Sequence, residues 1–417
     1  MVPTALGSVS LGYKLLWNRQ RQVCGVQLFI GTHDTATVDA PHLLSAIDEF
    51  WSEQAPTLLL SVQSPQLLAN LMEHAPARGT WIEVHESHLR DPALCDQVHK
   101  AHHRDLQLIW RGEPGARPDA AMAPCFLRAV MPLTAAEALA GLRLSLRKHN
   151  GANTKTTSLP GSPVLADQIY EDLTSWVLAE HCLDEQAAWG LAGWPVEDVL
   201  HGYRDQRIQP GERAISRLTR AIDADESMEL VEQILSEEPI LAYRFLRFAN
   251  SAGLGLPSDV NSLRHGLMVL GLSQLRSWLL TQMAHASSDL NLQPVRTGMV
   301  MRARLMEQLL DAGEGHQLRR EVYLCGLLSQ LDLLLGEPLS AILARVPLSD
   351  RITGAVLTQT GPYLPFLEIA AALESPNTQS TRLLCKTHQM DVEAVNRALL
   401  RTLSQAKGHP AKGLLLV

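Results

Sequence analysis

The chain has 417 residues, enough for two domains that each bury a core, and its 46% hydrophobic and 19% charged content is that of an ordinary globular protein. A net charge of −8 excludes a general nucleic-acid footprint, which needs an excess of Lys and Arg on one face. The six Cys (24, 95, 125, 182, 325, 385) form no C-x-x-C pair, and the N-terminus lacks the basic region and continuous apolar core of a signal peptide. A soluble protein of a reducing cytoplasm is therefore expected. The longest apolar stretch, Leu267–Leu280, is broken by Ser, Gln and Arg and is too short to span a bilayer.

Short apolar runs open the chain and read as strands: Gly12–Asn18, Val26–Gly31, Thr57–Gln63, Thr80–Glu86, Leu106–Trp110 and Phe126–Met131. After the first pair, helical windows such as His42–Gln54, Ser64–His74 and Asp91–Ala101 separate them. Strand–helix alternation of this kind implies a parallel sheet with crossover helices, either open or closed into a barrel. Lys148–Gly161 is rich in Asn, Thr, Ser, Gly and Pro and reads as a long exposed loop, where the barrel could lack a strand or helix. The domain boundary falls near Gly202–Gln209, giving domains 1–205 and 206–417.

Beyond Pro210 the pattern is helical throughout. Pro210-Gly211-Glu212 opens a helix through Ile222. Leu241, Phe245, Phe248 and Ala252 form one apolar stripe, which Gly253, Gly255 and Pro257 break. Ser262 is placed to cap a helix carrying Leu263, Leu267 and Leu270; Gly271 ends it, and Ser273 can cap the next, with Leu275, Trp278 and Leu279. Ala406–Pro410 stops the last helix.

The helical block, with its Pro-started helix, N-S-A-x-x-G turn, S-L-R-H, L-G and L-R-x-W, resembles the HDOD domain, a bacterial signalling module related to HD-domain phosphohydrolases. The resemblance runs from about Ile208 to the C-terminus and is strongest over Glu226–His285. A hydrolytic HD site needs clustered His and Asp to hold metal ions. The place of the adjacent His-Asp pair falls on Ser329-Gln330, Asp332 has no adjacent His, and His265, His285, His316 and His388 stand apart. This half reads as a non-catalytic scaffold.

In the first half, GYKLLWN, Gly25–Gly31, Leu59–Leu68, Trp81–Ser87, Pro163–Leu173 and Cys182–Pro195 occur in the order of the EAL domain, which they resemble. That resemblance implies a TIM-type barrel that hydrolyses cyclic di-GMP with two bound metal ions. Carried over by position, it places the signature's metal-ligand Glu on Gln27, its phosphate-contacting Arg on Gly31 and the metal-binding Asn on Val62 or Gln63. Glu83 matches a retained metal-ligand Glu, with Glu86 as the second acid of its motif. The paired acids fall on Ile109 and Trp110, the water-orienting Lys on Arg128, the late Glu on Tyr170 with Asp167 as the earlier acid, and the closing Gln on Ala188. The Q-P-I segment that opens the family barrel falls on Lys14-Leu15-Leu16.

Two-metal hydrolysis needs several carboxylates around two cations, and Glu83 with Glu86 cannot supply them. His99 and His103, the chain's H-x-x-x-H, lie away from these motifs and read as a solvated helix end. The expectation is therefore a degenerate (β/α) barrel followed by an all-helical HDOD domain, with no catalytic, cofactor-binding or metal-binding residues and no cofactor. Its function would be that of an inactive cytoplasmic adaptor in a cyclic di-GMP-related pathway (motility, surface attachment or virulence), binding a protein partner and neither nucleic acid nor membrane. A non-hydrolytic receptor for cyclic di-GMP and a residual phosphodiesterase are the alternatives, although Gly31 and Ala188 argue against nucleotide binding. Trp17, Trp110, Trp189 and Trp194 fall near former catalytic or closing-loop positions. They would make the old mouth an apolar surface covered by the helical half or a partner, or else fill a collapsed barrel.

Overall fold

The computed structural model describes residues 4–32, 38–77, 79–149, 161–251, 259–310 and 313–406. The calls on Ala252, Gly253, Gly255, Pro257, the 150–160 part of the loop and the chain end from Lys407 lie outside these residues. Eight strands close into a barrel in sequence order: β1 (Val9–Trp17), β2 (Val23–Thr32), β3 (Thr57–Val62), β4 (Thr80–His85), β5 (Leu108–Arg111), β6 (Arg128–Pro132), β7 (Ile169–Glu171) and β8 (Gly190–Ala192). β1 is antiparallel to both β2 and β8; the other neighbours are parallel. The barrel is followed by a helical region, so the expected barrel-plus-helical architecture is the observed one.

Crossover helices begin where the sequence supplies a cap followed by Pro. Asp39, Ser64 and Asp91 accept backbone N–H bonds at the starts of α1 (Ala40–Asp48), α2 (Pro65–His74) and α3 (Pro92–His103). α4 (Ala135–His149), α5 (Trp176–Glu180) and α6 (Val196–His201) follow; α4 runs through Lys148 and His149, which the sequence assigned to the loop. No strand is missing. What the barrel lacks is a crossover helix between β5 and β6, where the chain makes a 3-10 turn at Ala123–Cys125. The buried His181 ring is bonded at Nε2 to Ser162 Oγ (2.9 Å) and at Nδ1 to Glu185 (2.8 Å), tying the segment before β7 to the helical layer.

Alternation along the strands gives two cores. Leu16, Leu59, Trp81, Ile109, Val130, Ile169 and Ala192 fill the barrel interior. Trp110, Ala129, Met131, Tyr170 and Leu191 pack outward against Leu178, Ala179, Cys182 and Leu183.

The second unit, Val199–Ala371, is all-helical. It holds α7 (Glu212–Asp223), α8 (Met228–Ser236), α9 (Pro239–Ala249), α10 (Leu263–Met283), α11 (Leu292–Gln308), α12 (His316–Leu328), α13 (Leu331–Leu335), α14 (Leu339–Leu343) and α15 (Asp350–Thr353), and α16 (Leu364–Leu373) leads out of it. α9 is buried nearly all round, as a central helix must be. Its Phe245 and Phe248 meet Trp278 at centroid distances of 5.8 and 5.6 Å. Ser262 caps α10 as read from the sequence, and Gly271, at φ 72°, interrupts it. Glu238 caps α9 and forms a buried ion pair with Arg296 at 3.0 Å; Arg296 also donates to the Gln209 carbonyl at 2.7 Å.

The packing departs from the single boundary read from the sequence. The described residues from Ala372 onward belong with the barrel, not with the helical unit. They include α17 (Thr378–Thr387) and α18 (Val392–Ser404). The reason lies in the hairpin that opens the barrel. β1 meets β8 only at Leu16 and Trp17, so its earlier residues would present an unpaired edge. The buried Asn396 amide supplies the missing partner: it accepts from Leu11 N–H (3.3 Å) and donates to the Val9 and Leu6 carbonyls (2.8 Å each). Gly12 and Gly31 leave room for this return; a Cβ would meet the Ser375 carbonyl at 2.2 Å and Thr378 Oγ1 at 2.0 Å.

Trp110 is 1% exposed within the outer core, and Trp110→Ala is expected to lower stability by about 3–5 kcal/mol in urea melts. Near-wild-type stability with weakened association would instead restore the docking role.

Candidate functional site

The barrel interior turns polar two residues beyond its apolar layer. Because side chains alternate, stepping from Leu59, Trp81, Ile109 and Ile169 toward the C-terminal strand ends gives Ser61, Glu83, Arg111 and Glu171. β1 runs the other way, so the same step from Leu16 leads back to Lys14, whose register partner is Gln27. These six residues form the candidate site, at the end of the barrel where TIM-type folds place their chemistry.

Arg111 organises it. Its Nη2 lies 2.8 Å from one Glu171 carboxylate oxygen and 2.9 Å from the other, and its Nη1 lies 3.3 Å from Glu83 Oε1. The second Glu83 oxygen accepts from Ser61 Oγ and from Gln27 Nε2, both at 2.7 Å. Gln27 Nε2 is also 3.0 Å from Ser61 Oγ, while its buried Oε1 has no hydrogen-bond partner. Lys14 pairs with Asp172 at 2.9 Å. Burial raises the Glu171 carboxyl from 4.5 to about 7; Arg111 opposes that shift and Asp172 adds to it. Burial also disfavours the charged Arg111 guanidinium, but Glu83 and Glu171 outweigh it and hold its pKa above the ordinary value.

Several positions carried over from the sequence lie elsewhere. Trp110 and Tyr170 point outward, and the inward groups beside them are Arg111 and Glu171. Ser61, not Val62 or Gln63, reaches Glu83. Arg128 starts β6 at the opposite end, paired with Asp167 at 2.9 Å and set over the rings of Trp81 (5.2 Å) and Trp189 (5.4 Å). Trp17 and Trp194 meet each other at 6.5 Å, at the end of β1 away from the site. Trp110 and Trp194 pack with the outer core and Trp189 with the apolar interior layer, while the polar end of the barrel carries the ion network. Gly31 sits against Thr378, and Ala188 is buried in the outer core. Glu86 opens the turn after β4 and is half-buried. His99 Nδ1 contacts Cys125 Sγ at 3.4 Å, and His103 lies beside His102 at a helix end.

In the helical unit Ser329 Oγ donates to the Gly326 carbonyl (2.8 Å) and closes α12; Asp332 lies in the first turn of α13. His265 stands in the first turn of α10 and His316 begins α12. Among the described residues no group of three or more His, Cys, Asp or Glu side chains is placed to hold a metal ion. Residues 212–338 match the HDOD domain family.

The HDOD match covers the helices from α7 to the turn after α13. The chain is also similar to the cyclic di-GMP phosphodiesterase CdgJ of Vibrio cholerae serotype O1, 24% identical over 170 residues, which are 41% of this chain and 39% of that protein. It is 25% identical over 184 residues to the uncharacterized protein YuxH of Bacillus subtilis, covering 42% of this chain and 43% of that protein. The matches thus span about two fifths of each relative's length. Among solved structures, the MmoQ response regulator from Methylococcus capsulatus aligns with a TM-score of 0.36 and 17% identity, over 46% of this chain and 98% of that one. No described helix is long and apolar enough to cross a membrane.

Two predictions follow from the mouth. Glu171 holds its proton to higher pH folded than unfolded, so its contribution to stability is complete below 4.5 and is lost as pH rises through about 7. Relative to Glu171→Gln, the wild type is expected to lose up to about 1.4 kcal/mol per pH unit across that window. Denaturant melts of both proteins across the window check this, and a constant difference would contradict it. Separately, EDTA is expected to leave the melting temperature unchanged, since a bound ion would stabilise the native state by mass action. A clear drop would reveal a metal site.

Proposed function

We propose that this chain is a non-hydrolytic signalling protein of a cyclic di-GMP-related pathway. In this reading a degenerate EAL barrel and an HDOD domain act as docking surfaces for a protein partner. The observation that carries the reading is Arg111, held between Glu83 and Glu171 where hydrolysis would need metal ions. The HDOD match at residues 212–338 and the similarity to a protein named as a cyclic di-GMP phosphodiesterase support the pathway. Thr378 against Gly31 supports the loss of nucleotide binding, because its hydroxyl occupies the space that a side chain at the position matched to the phosphate-contacting Arg would take. Six free cysteines, four of them buried, support a reducing cytoplasm.

The purified protein, incubated with cyclic di-GMP and either magnesium or manganese, is expected to release no linear dinucleotide by chromatography. Calorimetry with the intact dinucleotide is expected to give no binding heat. Turnover would overturn the reading, and binding without turnover would convert the protein to a receptor. Affinity capture from the native cell is expected to recover a specific protein partner.

A further inference from the structure

The barrel's resemblance implies a divalent ion at the mouth, and the residues present do not fit one. A guanidinium lies 2.8 Å from Glu171 and 3.3 Å from Glu83, so a fixed positive charge already stands between the two carboxylates where a cation would have to sit. Two buried carboxylates facing one another cannot both ionise unless a positive charge lies between them. Here the chain supplies that charge itself. Ser61 Oγ and Gln27 Nε2 saturate the far oxygen of Glu83, so its remaining oxygen is turned toward Arg111.

One atom remains unexplained by this arrangement. Gln27 Oε1 is an acceptor on a residue with 0% exposure, and it has no donor. A buried amide oxygen without a partner is costly unless something positive or donating comes to it. The Gln27 amide nitrogen bonds Glu83 and Ser61, so this oxygen belongs to a group already in the Glu83 cluster, and oxygen donors are what hard divalent cations prefer.

We infer that Arg111 is a tethered substitute for a divalent cation: it keeps the mouth's carboxylates together, excludes metal, and covers an oxygen site that would accept Mg²⁺ or Mn²⁺ once the guanidinium is removed. The inference rests on the non-hydrolytic reading of the mouth and explains how the barrel keeps its acids without an ion. A dication approaching the wild-type site meets a fixed positive charge and carboxylates already engaged.

The test compares wild type and R111A by thermal melting with added MnCl₂ or MgCl₂, together with electron paramagnetic resonance titration of bound Mn²⁺. Wild type is expected neither to shift nor to bind. R111A is expected to melt about 2–4 °C higher in millimolar ion, reversibly with EDTA, and to bind Mn²⁺. The gain should vanish in R111A/E171Q, which has lost one of the two carboxylates. If R111A does not fold in plain buffer, refolding in MnCl₂ with recovery of the native circular dichroism supports the inference, and failure to refold overturns it. An R111A protein that folds and ignores both ions overturns it as well, as does a wild type that binds Mn²⁺ equally. Turnover of cyclic di-GMP by wild type would be a different failure, that of the non-hydrolytic reading itself.

Discussion

A carboxylate inside a barrel mouth needs a counter-charge, and much of this molecule's first half is arranged around that need. Glu83 and Glu171 come from strands three positions apart in the barrel, and Arg111, on the strand beside Glu83, joins them. Gln27 and Ser61 then take the outer oxygen of Glu83. Each of these residues is inert without the others. A lone Gln in place of an acid reads as loss of function, and a lone Arg at a strand end reads as solvated charge. Held together, they form an ion network in which the chain itself supplies the counter-charge.

The same geometry explains which parts of the protein were legible in the sequence. Strand positions along β1 to β6 follow from apolar runs, the helical windows beginning at His42, Ser64 and Asp91 follow from periodicity, and the helix start at Ser262 follows from cap chemistry. The Gln at position 27, which the resemblance matches to a metal-ligand Glu, was visible in one residue. Arg111 and Glu171 were missed because a strand's side-chain period is two: placing an acid of the motif on Trp110 or on Tyr170, one position away, exchanges the inside of the barrel for the outside. The signal that could have found them was the alternation itself. Ile109 and Ile169 are interior residues, so the groups two places on had to share their face.

The tryptophans misled for a related reason. A large aromatic near a position that the resemblance matches to a catalytic one suggests a mouth, but Trp110 is turned to the outer helices, and Trp81 and Trp189 hold Arg128 at the far end. Burial alone does not say which side of a barrel wall a residue occupies. Asn396 gave no signal, because the edge of β1 that it satisfies is paired across nearly the full length of the chain.

That long-range contact bears on how the protein is made. Asn396 bonds Leu6 across a separation of 390 residues, and the whole helical unit, Val199–Ala371, lies between them in sequence. A ribosome therefore finishes all eight strands well before the residue that satisfies the free edge of the first one emerges. During that interval the leading hairpin carries unpaired backbone groups of the kind that recruit other chains. The barrel's last closure must therefore wait until the helical unit has been synthesised.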